Sequence, residues 1–272
     1  MKKIEVFCLN PSCISAMRST VALAARLTQR NHEIKSMEDV LRLYREPSSD
    51  DFIKALCKLP HPTLQKFAVI NFVVFGASRR FLAQVTRHQN EVKFMSGSLQ
   101  YSDHSTCDDN INNFTVPYSL IEADAECRGN AQYQSNYHTA QYINSCTAAM
   151  NDYSRARAQG IDNDTCGYIA PQGLRNVLLI SATPFQWKHM ISQRVCHRNT
   201  PETRYVFLRI WEALYDMCPE IFGTAVGPFC MQGPCKEGKM NCGKPIDTNK
   251  VATPTEIIAA EFPLLVKEPS NA

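Results

Sequence analysis

Apolar residues at Ala16, Val21, Leu23, Ala24 and Leu27 recur at helical spacing and predict a helix over residues 12–30. Before it, residues 1–8 read as a first strand. Ser48, Ser49 and Asp50 can cap a further helix, which carries Phe52, Ile53, Leu56 and Cys57 on one face. The run Phe67 to Phe75 is β-branched and aromatic and is the strongest strand signal in the chain. Gly76 and Ser78 then allow a turn into a helix reaching to about His88, and residues 92–101 look extended. An Asp- and Asn-rich loop covers Ser102 to Asn113. From Glu122 to Gln159 the pattern is mostly helical, with a break near Gly129 and a stop at Gly160. Helices over 184–195 and 202–217 follow, the second with Val206, Ile210, Leu214 and Met217 on one face and Pro219 beyond its end. From Gly223 the tail is rich in Gly, Pro and Cys, has little periodicity and reads as loop. The sum is an α+β fold: one central, mostly antiparallel sheet with surrounding helices. No βαβ alternation and no Gly-x-Gly-x-x-Gly run supports a Rossmann cofactor site.

Composition narrows the functional classes. The hydrophobic fraction is 44% and the charged fraction 20%, ordinary for a globular chain. A net charge of +3 is too small to indicate nucleic acid, so anion binding must rest on local clusters. No apolar run reaches the roughly 18 residues that a membrane helix needs. Glu5 interrupts an N-terminal run already too short for a signal-peptide core, and twelve cysteines without an export signal point to reduced thiols in a cytoplasm.

Four clusters can carry chemistry. In Arg79 to Gln89, helical spacing puts Arg80, Gln84, Arg87 and His88 on one face. Two guanidiniums, an amide and an imidazole make a phosphate or anionic-ring site, or a solvated basic face. Ser96-Gly97-Ser98-Leu99-Gln100-Tyr101 offers two hydroxyls and a glycine for anion binding through backbone N–H groups, or an ordinary turn. Arg194-Val195-Cys196-His197-Arg198 places an Arg at a helix end, as a fixed charge in a cleft or as half of an ion pair with Glu202. Cys230, Cys235 and Cys242, with Cys218 upstream, can bind zinc or an iron–sulfur cluster, or stay reduced and unliganded. Their spacing lacks the paired Cys-x-x-Cys of a zinc ribbon, so no metal ligand is assigned and no metal essential to activity is expected.

Taken in order, these segments resemble the flavin-dependent thymidylate synthases. The family signature opens Arg-His-Arg and closes on Ser-x-Arg-Tyr; the matching residues are Arg87-His88-Gln89 and Ser98-Leu99-Gln100-Tyr101. Ser78-Arg79 and Gln84 are similar to the approach to that motif. Ala24-Ala25-Arg26-Leu27-Thr28 is similar to the family's first-helix segment, and His61-Pro62-Thr63 to its His-x-Thr turn. Trp187-Lys188-His189-Met190 through Arg194 to Glu202 looks like the helix with the substrate-activating Arg, and the cysteine-bearing tail looks like the end of some members. The likeness spans residues 20–245. Departures are Gln89 for the second Arg, Gln100 for the Arg of Ser-x-Arg-Tyr, a signature one residue longer, Gly167 for a phosphate-binding Arg, and Thr183 and Phe185 for an Asn and an Arg.

What the resemblance implies is reductive methylation of dUMP to dTMP, with FAD as cofactor, methylenetetrahydrofolate as carbon donor and NADPH as reductant. It implies a catalytic domain over 1–222, a C-terminal extension over 223–272 packed on it, and a homotetramer with shared active sites. Carried over residue by residue, Arg194 becomes the catalytic electrophile; Gln84, Arg87, Ser96, Gly97, Ser98, Leu99 and Gln100 line the nucleotide with it. Thr28, Thr63, Arg87, His88, Gln89, Thr183, Phe185, His189 and Arg198 fall on the flavin side. Gln89 and Gln100 motivate a second reading, the same fold acting on another pyrimidine nucleotide, such as hydroxymethylation of dUMP or dCMP. A third, from another class, is a cysteine-rich metal-binding protein that holds nucleic acid through Arg79, Arg80 and Arg87.

Overall fold

The computed structural model describes residues 4–105, 113–128, 136–223, 225–249, 251 and 253–266. The start of the first strand, most of the Asp- and Asn-rich loop and the break near Gly129 lie outside the described residues.

The sheet is built from β1 (Glu5–Cys8), β2 (Ile70–Ser78), β3 (Val92–Ser96) and β4 (Arg175–Ala182), in the order β1-β2-β4-β3 with every pair antiparallel. The inward positions Phe72, Val74, Leu178 and Ile180 are buried at alternate residues, as the pleat requires. Between and around the strands lie α1 (Cys13–Gln29), α2 (Met37–Arg45), α3 (Asp50–Lys58), α4 (Arg79–Val85), α5 (Tyr118–Glu126), α6 (Tyr137–Ala158) and α7 (Asn163–Gly167). After β4 come α8 (Pro184–Arg194), α9 (Pro201–Met217), α10 (Pro219–Phe222), α11 (Pro254–Glu261) and α12 (Pro263–Val266). α9 covers the inner face of the sheet along β1 and β2, and its Val206, Phe207, Ile210 and Leu214 are fully enclosed. A smaller cluster of Phe114, Cys146, Met150, Tyr153, Cys166 and Leu174 joins α6 and α7 to the start of β4.

Several boundaries differ from the pattern-based expectation. β2 begins at Ile70, leaving Phe67 61% exposed, and it continues past Gly76. Gly76 has φ of +81° and lies in a register shift between Phe75 and Ala77, so it makes a bulge and not the expected turn. α4 ends at Val85, so Arg87 and His88 stand in the turn after it and not on its face. The helical stretch expected to break near Gly129 is indeed two helices; Asp124 of α5 accepts the backbone N–H groups of His138 and Thr139 and so satisfies the start of α6. The tail is not all loop: Thr253 and Glu256 form a capping box that starts α11. Ile257, Ile258 and Phe262 bury themselves in the main core, and α11 lies on α9.

Arg26 ties the first helical layer together. Its buried guanidinium donates to the carbonyls of Leu43, Glu46 and Pro47 and to Ser48 Oγ, at 2.8 to 3.0 Å. Four charge-assisted bonds offset the cost of enclosing the cation and hold α1 beside α2 and the entry to α3. Ser49 then caps α3, as expected. Among the described residues no helix is long and apolar enough to cross a membrane.

Candidate active site

The site grows from the two strand-to-helix turns at the ends of β2 and β4. At the first, Ser78 Oγ caps α4 by accepting the Phe81 N–H. The carboxylate of Glu202, at the start of α9, accepts both the Ser78 N–H and the Ser78 hydroxyl, each at 2.6 Å. Burial pushes the Glu202 carboxyl upward, and the Ser78 donors and Arg80 pull it back. The ion pair of Arg194 with Glu202 is therefore not formed; Glu202 is committed to Ser78, and Arg194 faces elsewhere.

At the second turn, Thr183 caps α8 by accepting the Gln186 N–H, and eleven residues later the helix ends on Arg194. Arg194 Nε donates to His88 Nε2 at 2.8 Å, one terminal nitrogen to the Gln84 carbonyl at 3.0 Å, and the other to Asn199 Oδ1 at 3.3 Å. The chain thus brings the first and third sequence clusters into one corner. A guanidinium has five N–H donors in a planar fork. Three are engaged here, which leaves one N–H on each terminal nitrogen to donate elsewhere.

His88 is buried, and its pKa is lowered to about 4 by burial, then by Arg194 and His189. It is neutral near pH 7, and accepting through Nε2 puts its proton on Nδ1. Arg87, exposed beside the corner, opposes the charge of Arg194, whose own pKa burial lowers first. Two nearby guanidiniums and a neutral imidazole form a corner short of negative charge, a site for an anionic ligand. Gln84 is oriented by its side-chain oxygen, which accepts the Thr203 hydroxyl at 2.7 Å and that of Thr200 at 3.5 Å. Its amide nitrogen remains as a donor. Thr200, Thr203 and Asn199 belong to this hydrogen-bonded corner, although spacing did not single them out; only their places beside Arg194 and Glu202 could have flagged them.

The remaining expected residues fall in three places. Ser96 ends β3, and the Gly97 N–H donates to the Val177 carbonyl at 3.2 Å, so it is engaged within the sheet. Ser98 Oγ accepts the N–H groups of Gln100 and Tyr101, which makes the segment a hydroxyl-capped turn instead of a backbone anion cradle. Leu99 packs on the smaller core, against Gly167, while Gln100 and Tyr101 point outward, Tyr101 84% exposed. Thr28 and Thr63 share a cleft of about 890 Å³ between the end of α1 and the turn after α3, also lined by Leu23, Leu27, His61 and Phe67. Phe185 and His189 line an adjoining hollow of about 350 Å³ with Lys188 and Gln65, and the buried Lys188 donates to Gln65 Oε1 at 3.2 Å. Gln89 is exposed, and Arg198 donates to the Met240 carbonyl at 2.6 Å, fastening the tail.

A model of the thymidylate synthase complementing protein family matches residues 13–220. A flavin-dependent thymidylate synthase of Geobacter sulfurreducens is 25% identical over 237 residues, covering 86% of this chain and 92% of that one. Among solved structures, a UMP/dUMP methylase from Streptomyces cacaoi, bound with 5-Br dUMP, has a TM-score of 0.55 at 16% identity, over 81% of this chain and 94% of its own. Thymidylate synthase X from Helicobacter pylori, solved with FAD and dUMP, has a TM-score of 0.55 at 15% identity, over 81% and 97%. At that identity the two structures speak to the fold, which they share with this chain.

Proposed function

Because the chain belongs to the flavin-dependent thymidylate synthase family, we propose that it binds FAD and converts dUMP to dTMP, with methylenetetrahydrofolate giving the carbon and NADPH the electrons. The observation that carries the reading is Arg194, held by His88, Gln84 and Asn199 with one N–H on each terminal nitrogen left for a pyrimidine.

The residues present fit a flavin dinucleotide. The cleft of about 890 Å³ is within the size range of cofactor sites, and its mostly apolar wall carries the Thr28 and Thr63 hydroxyls that a ribose or phosphate needs. Bound there, FAD supplies the redox chemistry; the chain supplies binding, orientation and charge. Arg194 donates to the pyrimidine's ring oxygens and stabilises the negative charge that builds toward C5. Neutral His88 keeps the guanidinium plane fixed without adding a competing charge. Gln84 donates its amide N–H to a pyrimidine carbonyl, and Arg87 meets the phosphate or lies between nucleotide and flavin. A thiol nucleophile has no role in this scheme.

The outer face of the sheet supports a homo-oligomer, in keeping with a homotetramer. Phe7, Val73, Leu179 and Met95 form one row across all four strands, and Phe7 and Met95 are 65% and 71% exposed. A contiguous apolar face of this kind calls for a partner surface. Ser98, Gln100 and Tyr101 share no hydrogen bond with Arg194's corner, and a site shared between copies is one way for a nucleotide to use both.

The test is a visible spectrum of the purified protein before and after dUMP is added. Flavin absorption that dUMP perturbs supports the proposal. A colourless protein that takes up no FAD at micromolar concentration overturns it. Perturbation by dCMP and not dUMP moves the substrate to the alternative pyrimidine, a reading that Gln89 and Gln100 favour.

A further inference from the structure

The cysteines of the tail gain a partner in three dimensions that linear spacing does not supply. Cys196, two residues after Arg194, lines the same cavity of about 230 Å³ as Cys230, Cys235 and Cys242. We infer that Cys196, Cys230, Cys235 and Cys242 form a four-thiolate structural site for zinc, which clasps the tail to the turn between α8 and α9.

Two observations support the site besides the shared cavity. Backbone N–H groups are aimed at two of the four sulfurs: Lys244 N–H donates to Cys242 Sγ at 3.4 Å and Ile246 N–H to Cys230 Sγ at 3.5 Å. Donors of this kind orient a ligating sulfur. Second, zinc on four thiolates carries a net charge of −2, and the cation of Lys244 belongs to a residue that lines the same cavity.

As they stand, no three His, Cys, Asp or Glu side chains among the described residues are drawn tightly enough together to hold an ion. Tetrahedral zinc with Zn–S bonds of about 2.3 Å needs its sulfurs roughly 3.8 Å apart. Around these cysteines the regular pieces of the segment are only the short 3-10 turns Phe229–Met231 and Gly238–Met240. Closing the site therefore requires rotation about χ1 of the four cysteines, which are all half-buried and free, with a small shift of those turns. Thiolates select zinc over harder cations, and a closed four-ligand set is structural and not catalytic. The inference is independent of the flavin chemistry, since none of the four thiols takes part in it.

Metal analysis of the full-length, FAD-loaded protein, purified without chelator, is the test. One equivalent of zinc per chain is expected, falling to near zero in Cys235→Ser. Cobalt added to chelator-treated wild type should produce the visible bands of tetrahedral thiolate coordination, at longer wavelengths than oxidised flavin absorbs. Cys242→Ser should lose those bands while keeping its flavin. Chelator treatment should lower the melting temperature by several degrees, reversed by zinc. A zinc-free wild type that takes up no cobalt overturns the assignment. So does iron with acid-labile sulfide, or recovery of these cysteines as disulfides in metal-free protein. Each result is read on wild type as well as on variants, so a variant that fails to fold does not shield the inference.

Discussion

Around Arg194 the chain completes its own hydrogen bonding: His88, Gln84 and Asn199 hold the guanidinium, Thr200 and Thr203 hold Gln84, and Glu202 holds Ser78. At the cleft of Thr28 and Thr63 the reverse is true. Thr28, Leu27, His61, Thr63 and Phe67 are exposed, and the Thr28 hydroxyl bonds only back to the Ala25 carbonyl of its own helix. The first region is preorganised before any ligand arrives, as electrostatic stabilisation of developing charge requires. The second is an open wall whose polar groups wait for a cofactor or another copy to cover them. Substitutions should therefore divide: those in the corner change chemistry or folding sharply, and those on the wall change affinity modestly.

The largest effect is expected for Arg194→Ala. Losing one preorganised donor costs on the order of 3 to 4 kcal/mol, or 100- to 1000-fold in turnover. Bound flavin and melting temperature should stay near wild type, because the wall and the Glu202 contacts are untouched. Arg194→Lys should not restore full activity, since an ammonium lacks the planar fork. A near-normal turnover with a lowered melting temperature would move Arg194 from chemistry to scaffold.

Next in size is a pH effect centred on His88. Its pKa in the fold is about 4 against an ordinary 6.5, so between those values the unfolded chain binds more protons than the folded one. Stability should be full above about pH 6.5 and fall as pH drops toward 4, by roughly 3 kcal/mol at the limit. A pH series of chemical denaturation, compared with the same series on His88→Gln, isolates this component. An unchanged slope in the variant would place the loss elsewhere.

Glu202→Ala should cost about 2 to 3 kcal/mol of stability, because it removes two charge-assisted bonds and strands the Ser78 N–H. Thermal melting reads it directly. Wild-type melting with lost turnover would contradict the assignment of Glu202 to scaffold. Thr63→Ala is the smallest expected change: one hydroxyl on an open wall is worth about 1 kcal/mol, a few-fold in FAD affinity, with turnover restored at saturating FAD. Flavin titration measures it, and a 100-fold loss would show that the wall is as tightly built as the corner.

The same contrast explains what the sequence disclosed. Segments whose signal is local were legible: the helices capped by Ser49 and Thr183, the stop at Gly160 with φ of +86°, and the face of α9. β4, a central strand, escaped notice because Val177 to Ala182 is a short apolar run that periodicity cannot separate from a buried helix turn. The basic stripe was drawn on a helix that ends before Arg87. Glu202 was offered to Arg194 by nearness in sequence, whereas its partner, Ser78, lies 124 residues away. Cys196 joins the tail cysteines only through the fold. Arg194 itself was found because a motif marked it; two of the acceptors that hold it, His88 and the Gln84 carbonyl, lie 106 and 110 residues away, a distance that no window of sequence spans.

The most direct measurement is product analysis by mass spectrometry after incubating FAD-loaded protein with dUMP, methylenetetrahydrofolate and NADPH, run beside Arg194→Ala. The account predicts dTMP from wild type, and from the variant 100- to 1000-fold less at equal flavin occupancy. Absence of dTMP from flavin-loaded wild type, or equal yields from both proteins, would contradict it.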